Sequence, residues 1–560
     1  MPAKKTLASH VSNRRTPQSE KIPGKAQVAN SAGGFSFAVD DWTRLQRFLI
    51  LGSEGGSYYA TERELTVQNV ECLTRCADED FGRALRLVVD VSVEGRAPKN
   101  DYALLALAQL AARPAPQSTL ALAELNNVAR IGTHLFQFIG YLREFRGMGR
   151  AVKTALQKWY AEKRPDEVAF QATKYVQRNG FSHRDVLRLC KPRGAKFATA
   201  NGHAVDSQLL EHDGVRNYIV GKPWDAMPAG PARRYLEAVE AAKAATSAKA
   251  LIRLIGEYNL PREVLPTKLL NEPSVWEAML PGMPLTAMVR NLGKMSSIGL
   301  TKPLSTASKL VAEKLSDGDY IRKSRLHPLA ILVALGIYRQ GQGLKGSLRW
   351  QPDAKIVDAL DGAFYTAFQN VAPTGKNHLL ALDVSDSMTW NKIAGTYLMP
   401  RDAAAAMAMV TVNAENNTHV TAFASGGSFR QSSTQFAGVM FGIQPVSLSP
   451  KTRLDDAVSQ INRLPAGGTD CALPMLYATQ NKLEVDAFVV YTDSETWAGA
   501  VHPCQALNEY RQKMGRPAKL IVVGMIANQF SIADPADGGM LDVVGFSVDT
   551  PAVMSNFIRG

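Results

Sequence analysis

The chain has 560 residues, 46% of them hydrophobic and 21% charged, the balance of a folded protein long enough for two or more domains. Its +13 formal charge is uneven: from Asn377 onward 12 Lys/Arg face 16 Asp/Glu, a net of −4, so the first 376 residues carry +17. That asymmetry points to a polyanion as partner of the N-terminal part, and no apolar run approaches the roughly 20 residues of a membrane span.

The first 34 residues hold six Lys/Arg and one acid and lack the apolar centre of a secretory signal. They read as a basic disordered tail over 1–34, or as an arm weakly attracted to nucleic acid. From Asp40 to about Phe368, apolar residues recur at three- and four-residue spacing in short segments such as DYALLALAQLAAR and RRYLEAVEAAKAA, with no strand runs between them. A stacked helical array follows, without a period regular enough to name. LAILVALGIY at 329–338 is too short for a membrane span and starts just after Pro328, so it reads as a buried helix. The five cysteines, Cys72, Cys76, Cys190, Cys471 and Cys504, include no CxxC pair; a reducing cytoplasm and packing roles fit them.

After about Thr374 strand-like and helical segments alternate: HLLALDV, RDAAAAMAMVTVNAE, HVTAFAS, RLDDAVSQINRL, CALPMLYATQNK, DAFVVYTDS, PCQALNEYRQKM and AKLIVVGMI. That order predicts an α/β doubly wound, Rossmann-like and mainly parallel sheet whose site lies at the C-terminal ends of its strands. LLALDVSDSMTW places Asp383, Ser385 and Ser387 there, on one side of an extended loop. Thr469 in GGTD and Asp493 in VVYTDSE complete two carboxylates and three hydroxyls, a donor set for a hard divalent cation, Mg²⁺ first, with a position left for a partner's oxygen. A metal-free loop of polar caps is the plainer alternative. Glu495 and His502 lie near in sequence without a nucleophile to serve, and GxxxxGK[ST], HExxH and GxSxG are absent, so no enzyme is expected.

Asp383-x-Ser385-x-Ser387 followed by Thr469 and Asp493 resembles the metal-ion-dependent adhesion site of von Willebrand factor A domains. DWTRLQRFLILGSEGGSYY (41–59), THLFQFIGYLREF (133–145), TKYVQRNGFSHRDVLRLC (173–190), LPREVLPTKLLN (260–271), MPLTAMVRNLGKM (283–295) and RLHPLAILVALGIYRQGQGLKG (325–346) resemble the TROVE module. Their order before an A domain with GGTDCALPM and YTDSETWAG is similar to the Ro ribonucleoprotein family, the 60 kDa autoantigens with bacterial and phage relatives. The resemblance implies a HEAT-like helical ring over 35–373 and an A domain over 374–560. It further implies small noncoding Y RNA on the ring's basic outer surface, single-stranded 3′ ends of misfolded RNA in its central hole, and a tether to polynucleotide phosphorylase in RNA quality control.

On the residues themselves, a helix would put Lys174 and Arg178 on one face beside Gln177, with Asn179-Gly180 as its stop. Phe181, Ser182 and His183 would then enter a helix carrying Arg184, Arg188 and Lys191. Such a face suits phosphate and sugar contacts, although a solvated helix face has the same composition. The resemblance carries Lys174 and Arg178 over as Y RNA contacts. His134, Arg290 and Lys294 are secondary candidates, the last two four apart and able to line the hole. A ring closed within one chain is compatible with a monomer. The rival readings are a metal-dependent assembly module with the array as scaffold, and an RNA hydrolase.

Overall fold

The computed structural model describes residues 15–53, 57, 60–192, 207–343, 347–368, 373–390, 392–393, 398–425, 442–547 and 550–559. Helices succeed one another from Asp41–Leu51 to Ala354–Ala367. Their starts are written locally. Asp40 accepts the Thr43 N–H, Thr61 and Glu64 form a reciprocal capping box, and Pro165, Pro231, Pro273 and Pro328 occupy first-turn positions where no amide hydrogen is needed.

Each helix packs mainly on near neighbours in sequence: Asp41–Leu51 on Glu62–Glu79, Asp101–Ala111 on Gly132–Phe145, Pro165–Lys174 on Pro231–Lys243, Thr306–Ser316 on Ala354–Ala367. This is the nearest-neighbour packing of a helical solenoid. The array also returns on itself, because Gly95 lies against the Arg325 side chain, where a Cβ would stand 3.3 Å from Arg325 Cβ. The helix Pro328–Gln340 buries Leu329, Ile331, Leu332 and Leu335, and among the described residues no helix is long and apolar enough to cross a membrane. All five cysteines are free and buried.

Among the described residues one strand pair interrupts the helical run. Lys174 ends its helix, and β3 (Gln177–Arg178) pairs antiparallel with β4 (Phe181–Ser182). The turn residues Asn179 (φ 51°) and Gly180 (φ 76°) both adopt the left-handed conformation that a two-residue hairpin turn demands. The expected continuous helix from Lys174 to Arg178 is therefore replaced by a hairpin. Asn-Gly turns the chain back instead of merely stopping it.

The C-terminal part is a six-stranded sheet in the order β11 (Met540–Val544), β9 (Lys519–Gly524), β8 (Ala487–Thr492), β5 (His378–Asp383), β6 (Thr418–Phe423), β7 (Ile443–Pro445); all pairs are parallel except β6 with β7. Every residue of β5 and β8 is buried, as strands covered on both faces must be. Leu379, Ala381, Phe488 and Val490 pack to one side with the helices Leu473–Gln480 and Pro503–Met514. Leu380, Leu382, Val489 and Tyr491 pack to the other, in a core continuous with that of the helical array. The doubly wound class is thus borne out, in a mixed sheet.

Both ends of the array dock on this domain. From the first helix, fully buried Arg47 donates to both Asp542 carboxylate oxygens (2.6 and 2.8 Å) and to the Phe530 carbonyl (2.9 Å). From the last helices, His327 Nε2 reaches the Phe546 carbonyl at 2.8 Å, Arg339 pairs with Asp455 and Asp456, and Arg453 pairs with Asp358.

The N-terminal segment corrects the expectation of a tail. Residues 1–14 lie outside the described residues, but from Arg15 on the chain is built into the A domain. β1 (Gln27–Ala29) pairs with β2 (Phe35–Ala38), which pairs with β10 (Phe530–Ser531). Gln18 is wholly buried, its amide donating to Asp470 (2.7 Å) and the Val501 carbonyl (2.8 Å). Charge counting missed this because two of the basic residues, Arg15 and Lys25, pair with Glu509 and Asp534 of the A domain, and the buried binding groups Gln18, Gln27, Asn30 and Ser36 are neutral.

Candidate nucleic-acid interface and metal centre

The hairpin and the helix behind it form one basic unit. Ser182 caps the helix His183–Cys190 by accepting the Asp185 N–H while the Asp185 carboxylate accepts the Ser182 N–H. Arg184 and Arg188, one turn apart, are exposed on that helix, and exposed Lys191 ends it in the left-handed conformation (φ 46°). Gln177 and Arg178 are exposed on β3, and Arg178 donates to the Gln177 carbonyl (2.7 Å). Half-buried Lys174 holds its ammonium 5.2 Å from the Phe170 ring and 5.4 Å from that of Tyr175. Lys174 and Arg178 therefore do not share a helix face: Lys174 closes one helix and Arg178 lies on the hairpin strand that follows it. Arg143, absent from the sequence-based set, extends the unit: its exposed guanidinium lies 5.7 Å from the Phe181 ring. Its only sequence cue is the basic stretch around REFR.

His183 does not belong to the contact surface. It is 2% exposed, with Nδ1 2.9 Å from the Tyr160 hydroxyl and its ring edge-on to Phe136, and burial pushes its pKa down to about 4. A neutral imidazole in the core cannot meet a phosphate. His134 is corrected in the same way: Nδ1 meets the Asn100 amide at 3.3 Å, and burial, then the Arg130 charge, lowers it to about 4. Arg290 and Lys294 sit one turn apart on Leu285–Ser297 and line a separate cleft of about 650 Å³; Lys294 donates to Asn271 at 2.8 Å.

At the other candidate site the strand ends converge. Asp383, Ser385, Ser387, Thr469 and Asp493 are each at most 3% exposed. Asp383 accepts the Ser385 N–H (2.9 Å) and the Thr492 hydroxyl (2.6 Å), and the Ser385 and Ser387 hydroxyl oxygens are 3.2 Å apart. The three loops are laced by backbone bonds, Asp386 N–H to the Gly467 carbonyl (3.0 Å) and Trp497 N–H to the Thr469 carbonyl (3.1 Å). Gly467 and Gly468 permit the close approach of Ser425, with which a Cβ at either position would collide, and Gly468 also that of the Trp497 ring.

Burial, then the charge of Asp493, pushes Asp383 up to about 7; burial raises Asp493, the Ser387 hydroxyl pulling the other way; burial and Asp493 push Glu495 up to about 8. Asp493 Oδ2 is buried without a hydrogen-bond partner. Facing carboxylates with an unmet oxygen fit a cation, whose charge removes their mutual repulsion. Among the described residues no three His, Cys, Asp or Glu gather into a metal-holding group; the five side chains gathered here offer two carboxylates and three hydroxyls, the ligand types of a hard cation.

Glu495 and His502 are tied up structurally. The Glu495 carboxylate accepts the Ser31 N–H (2.8 Å) and the Asn528 amide (3.3 Å), while His502 meets the Gln27 amide (3.2 Å) and the Glu20 carbonyl (2.7 Å). The N-terminal segment thus braces the loop that follows Asp493. Gln18 and Asn30 hold the same loop, through the Thr496 hydroxyl and carbonyl.

Residues 28–336 match the family model of the TROVE domain and residues 377–558 that of the Ro60 vWA domain. The chain is 40% identical over 561 residues to the RNA-binding protein RO60 of Deinococcus radiodurans, covering 99% of each, and 33% identical over 616 residues to the RNA-binding protein RO60 of Caenorhabditis elegans, covering 98% of this chain and 92% of that protein. The crystal structure of the Deinococcus radiodurans RO (RSR) protein superposes with a TM-score of 0.65 at 39% identity, over 93% of this chain and 99% of that one. With a TROVE domain on the helical array, a Ro60 vWA domain on the sheet and relatives matched along nearly their whole length, the chain belongs to the Ro family.

Proposed function

We propose that this protein binds RNA without catalysing a reaction on it, as the protein component of a cytoplasmic ribonucleoprotein in RNA quality control. A small structured, Y-like RNA docks on the hairpin unit through Lys174, Gln177, Arg178, Arg184, Arg188 and Lys191, with Arg143 added to that set. The single observation that carries this is the juxtaposition of exposed cations with hydrogen-bonding amides on a rigid hairpin and the helix it caps, which matches the spaced phosphates and 2′-hydroxyls of an RNA helix. Single-stranded 3′ ends of misfolded RNA enter within the array, on the side of Arg290 and Lys294.

In the A domain, Asp383, Ser385, Ser387, Thr469 and Asp493 hold Mg²⁺ and leave one coordination position for an oxygen ligand of a protein partner. A degradative exoribonuclease such as polynucleotide phosphorylase is a partner of the right kind, joined through the bound RNA. The metal-dependent assembly reading keeps one supporting observation: Trp497, 43% exposed, lies beside the Thr469 loop as an apolar contact for a docking protein.

The test is sequencing of RNA crosslinked to the tagged protein in its own cell, with the Lys174→Ala/Arg178→Ala double variant alongside. One abundant structured RNA, lost in the variant and bound in vitro with a flatter salt dependence, is the expected outcome. Equal recovery from both proteins would move the interface elsewhere, and no enriched RNA would favour the assembly reading.

A further inference from the structure

Asp493 and the first helix of the array are joined through one short segment. Parallel pairing sets Thr492, the last residue of β8, opposite Gly524, the last of β9, so the loop that carries Asp493 and the segment 525–529 leave the sheet side by side. The array grips that segment and the residue after it. Asn69 donates to the Ala527 carbonyl (3.3 Å), Arg44 to the Gln529 side chain (3.0 Å), the Val39 N–H to the Gln529 carbonyl (2.9 Å) and Arg47 to the Phe530 carbonyl (2.9 Å). Gly524 makes room for this, since a Cβ there would stand 2.7 Å from the Arg47 guanidinium.

Asn528, buried in this segment, reaches both ways. Its amide nitrogen donates to the Asp493 carbonyl (2.8 Å) and the Glu495 carboxylate (3.3 Å). Its amide oxygen and its main-chain carbonyl each accept from the Arg47 guanidinium (3.2 Å). The loop held by the amide nitrogen is strained: Ser494, between Asp493 and Glu495, is buried in the left-handed region (φ 63°), which a non-glycine residue keeps only where its surroundings impose it. Two elements impose it here. The Ser36 hydroxyl of the N-terminal strap donates to the Ser494 carbonyl (2.9 Å), and Asn528 holds the carbonyl just before it. A strained residue directly after Asp493, pinned from both sides, sets the direction in which that carboxylate points.

We propose that Asn528 is a positioning residue that ties the Asp493 loop to the first helix of the array, so that occupation of the cation site and docking of Asp41–Leu51 on the A domain stabilise each other. Asp493 shares one short loop with the carbonyl that Asn528 holds. A restraint on its carboxylate is therefore a restraint on Asn528 and, through the two oxygens of Asn528, on Arg47. A coupling of this kind is reciprocal: what loosens the helix weakens the site by the same factor. The inference rests on the reading of Asp383, Ser385, Ser387, Thr469 and Asp493 as a cation site and adds to it a connection to the array. The hairpin unit lies on other elements and is outside that connection.

The experiment measures Mg²⁺ binding to the full chain by calorimetry and amide hydrogen exchange by mass spectrometry, with and without saturating Mg²⁺, in wild type, Asn528→Ala and Arg47→Lys. In wild type Mg²⁺ should slow exchange in Asp41–Leu51 roughly fivefold or more and leave Pro231–Lys243, a helix packed within the array, unchanged. Asn528→Ala should weaken Mg²⁺ binding and lose that protection at saturating Mg²⁺. A residue that only supported the fold would speed exchange equally in both conditions and keep their ratio. Arg47→Lys leaves the contacts of Asn528 with the Asp493 loop in place and should, by reciprocity, weaken Mg²⁺ binding about fivefold; it decides the matter where Asn528→Ala does not fold or no longer binds Mg²⁺. Mg²⁺ bound by wild type without a change in Asp41–Leu51, a ratio preserved in Asn528→Ala, or wild-type Mg²⁺ affinity in Arg47→Lys would overturn the proposal. Failure of wild type to bind Mg²⁺ at all removes the cation reading itself, and the proposal with it.

Discussion

His183 and Asp383 are both buried polar side chains, and their surroundings give them opposite tasks. His183 is enclosed by Phe136, Trp159 and Tyr160 with a native pKa of about 4, against about 6.5 in an unfolded chain. Because the folded pKa lies below the unfolded one, the unfolded state binds more protons as pH falls. Its contribution is undiminished above about pH 6.5 and is lost down to about pH 4, at most about 3 kcal/mol. Urea unfolding followed across that window should show this loss, and His183→Asn should flatten the slope; an unchanged slope would mean that the imidazole titrates normally. At Asp383 the carboxylate is a proposed metal ligand. Asp383→Asn should abolish Mn²⁺ or Mg²⁺ binding by calorimetry while leaving RNA affinity within about twofold, since the RNA face lies on other elements. Parallel loss of both would make the site a structural requirement of the whole chain.

Two short elements depart from their neighbours, and each does so through groups that sequence periodicity ignores. In the hairpin, Asn179 and Gly180 supply two consecutive left-handed residues, so QRNGFS reverses direction within a helical region. In the N-terminal strap, Gln18 is the fixed point: besides Asp470 and Val501, its carbonyl oxygen accepts the Thr496 hydroxyl. Gln18→Ala leaves three buried groups short of a partner and should lower stability by about 2 kcal/mol, read as a drop in the urea midpoint. The same variant should weaken metal binding, because the strap grips the loop that follows Asp493. Stability lost with metal affinity intact would show that the strap braces the domain without setting the metal loop.

Across the whole molecule, the helical array and the A domain share a continuous apolar core, and polar contacts at both ends of the array fix how they dock. Arg47 is the most exacting of these. Asp542 is pushed up by burial and pulled back by the Arg47 charge, so truncating the arginine strands a buried carboxylate. Arg47→Ala should cost about 3–5 kcal/mol and loosen the docking of the first helix, measurable as faster hydrogen exchange in β10 and β11. The exposed bridges Arg339 to Asp456 and Arg453 to Asp358 should each contribute below about 1 kcal/mol, and less at high salt.

The sequence by itself determined the two domain classes, because helical period and strand-helix alternation are local consequences of side-chain burial. The convergence of the five proposed metal-site residues was legible too: DxSxS, GGTD and VVYTDSE each sit at the end of a strand or the start of a helix, where a doubly wound sheet gathers them. The sequence did not determine that His183 is a neutral core residue or that half-buried His134 is held against the Asn100 amide, since burial of an imidazole depends on which helices close over it. Nor did it place β11, whose central Asp542 is paired with Arg47 of the first helix. Only the tertiary structure brought Lys99 and Arg290 to one cleft and converted the first basic segment from a tail into a strap. Each of these depends on a contact between residues far apart in the chain, and such contacts leave no periodic trace in the sequence.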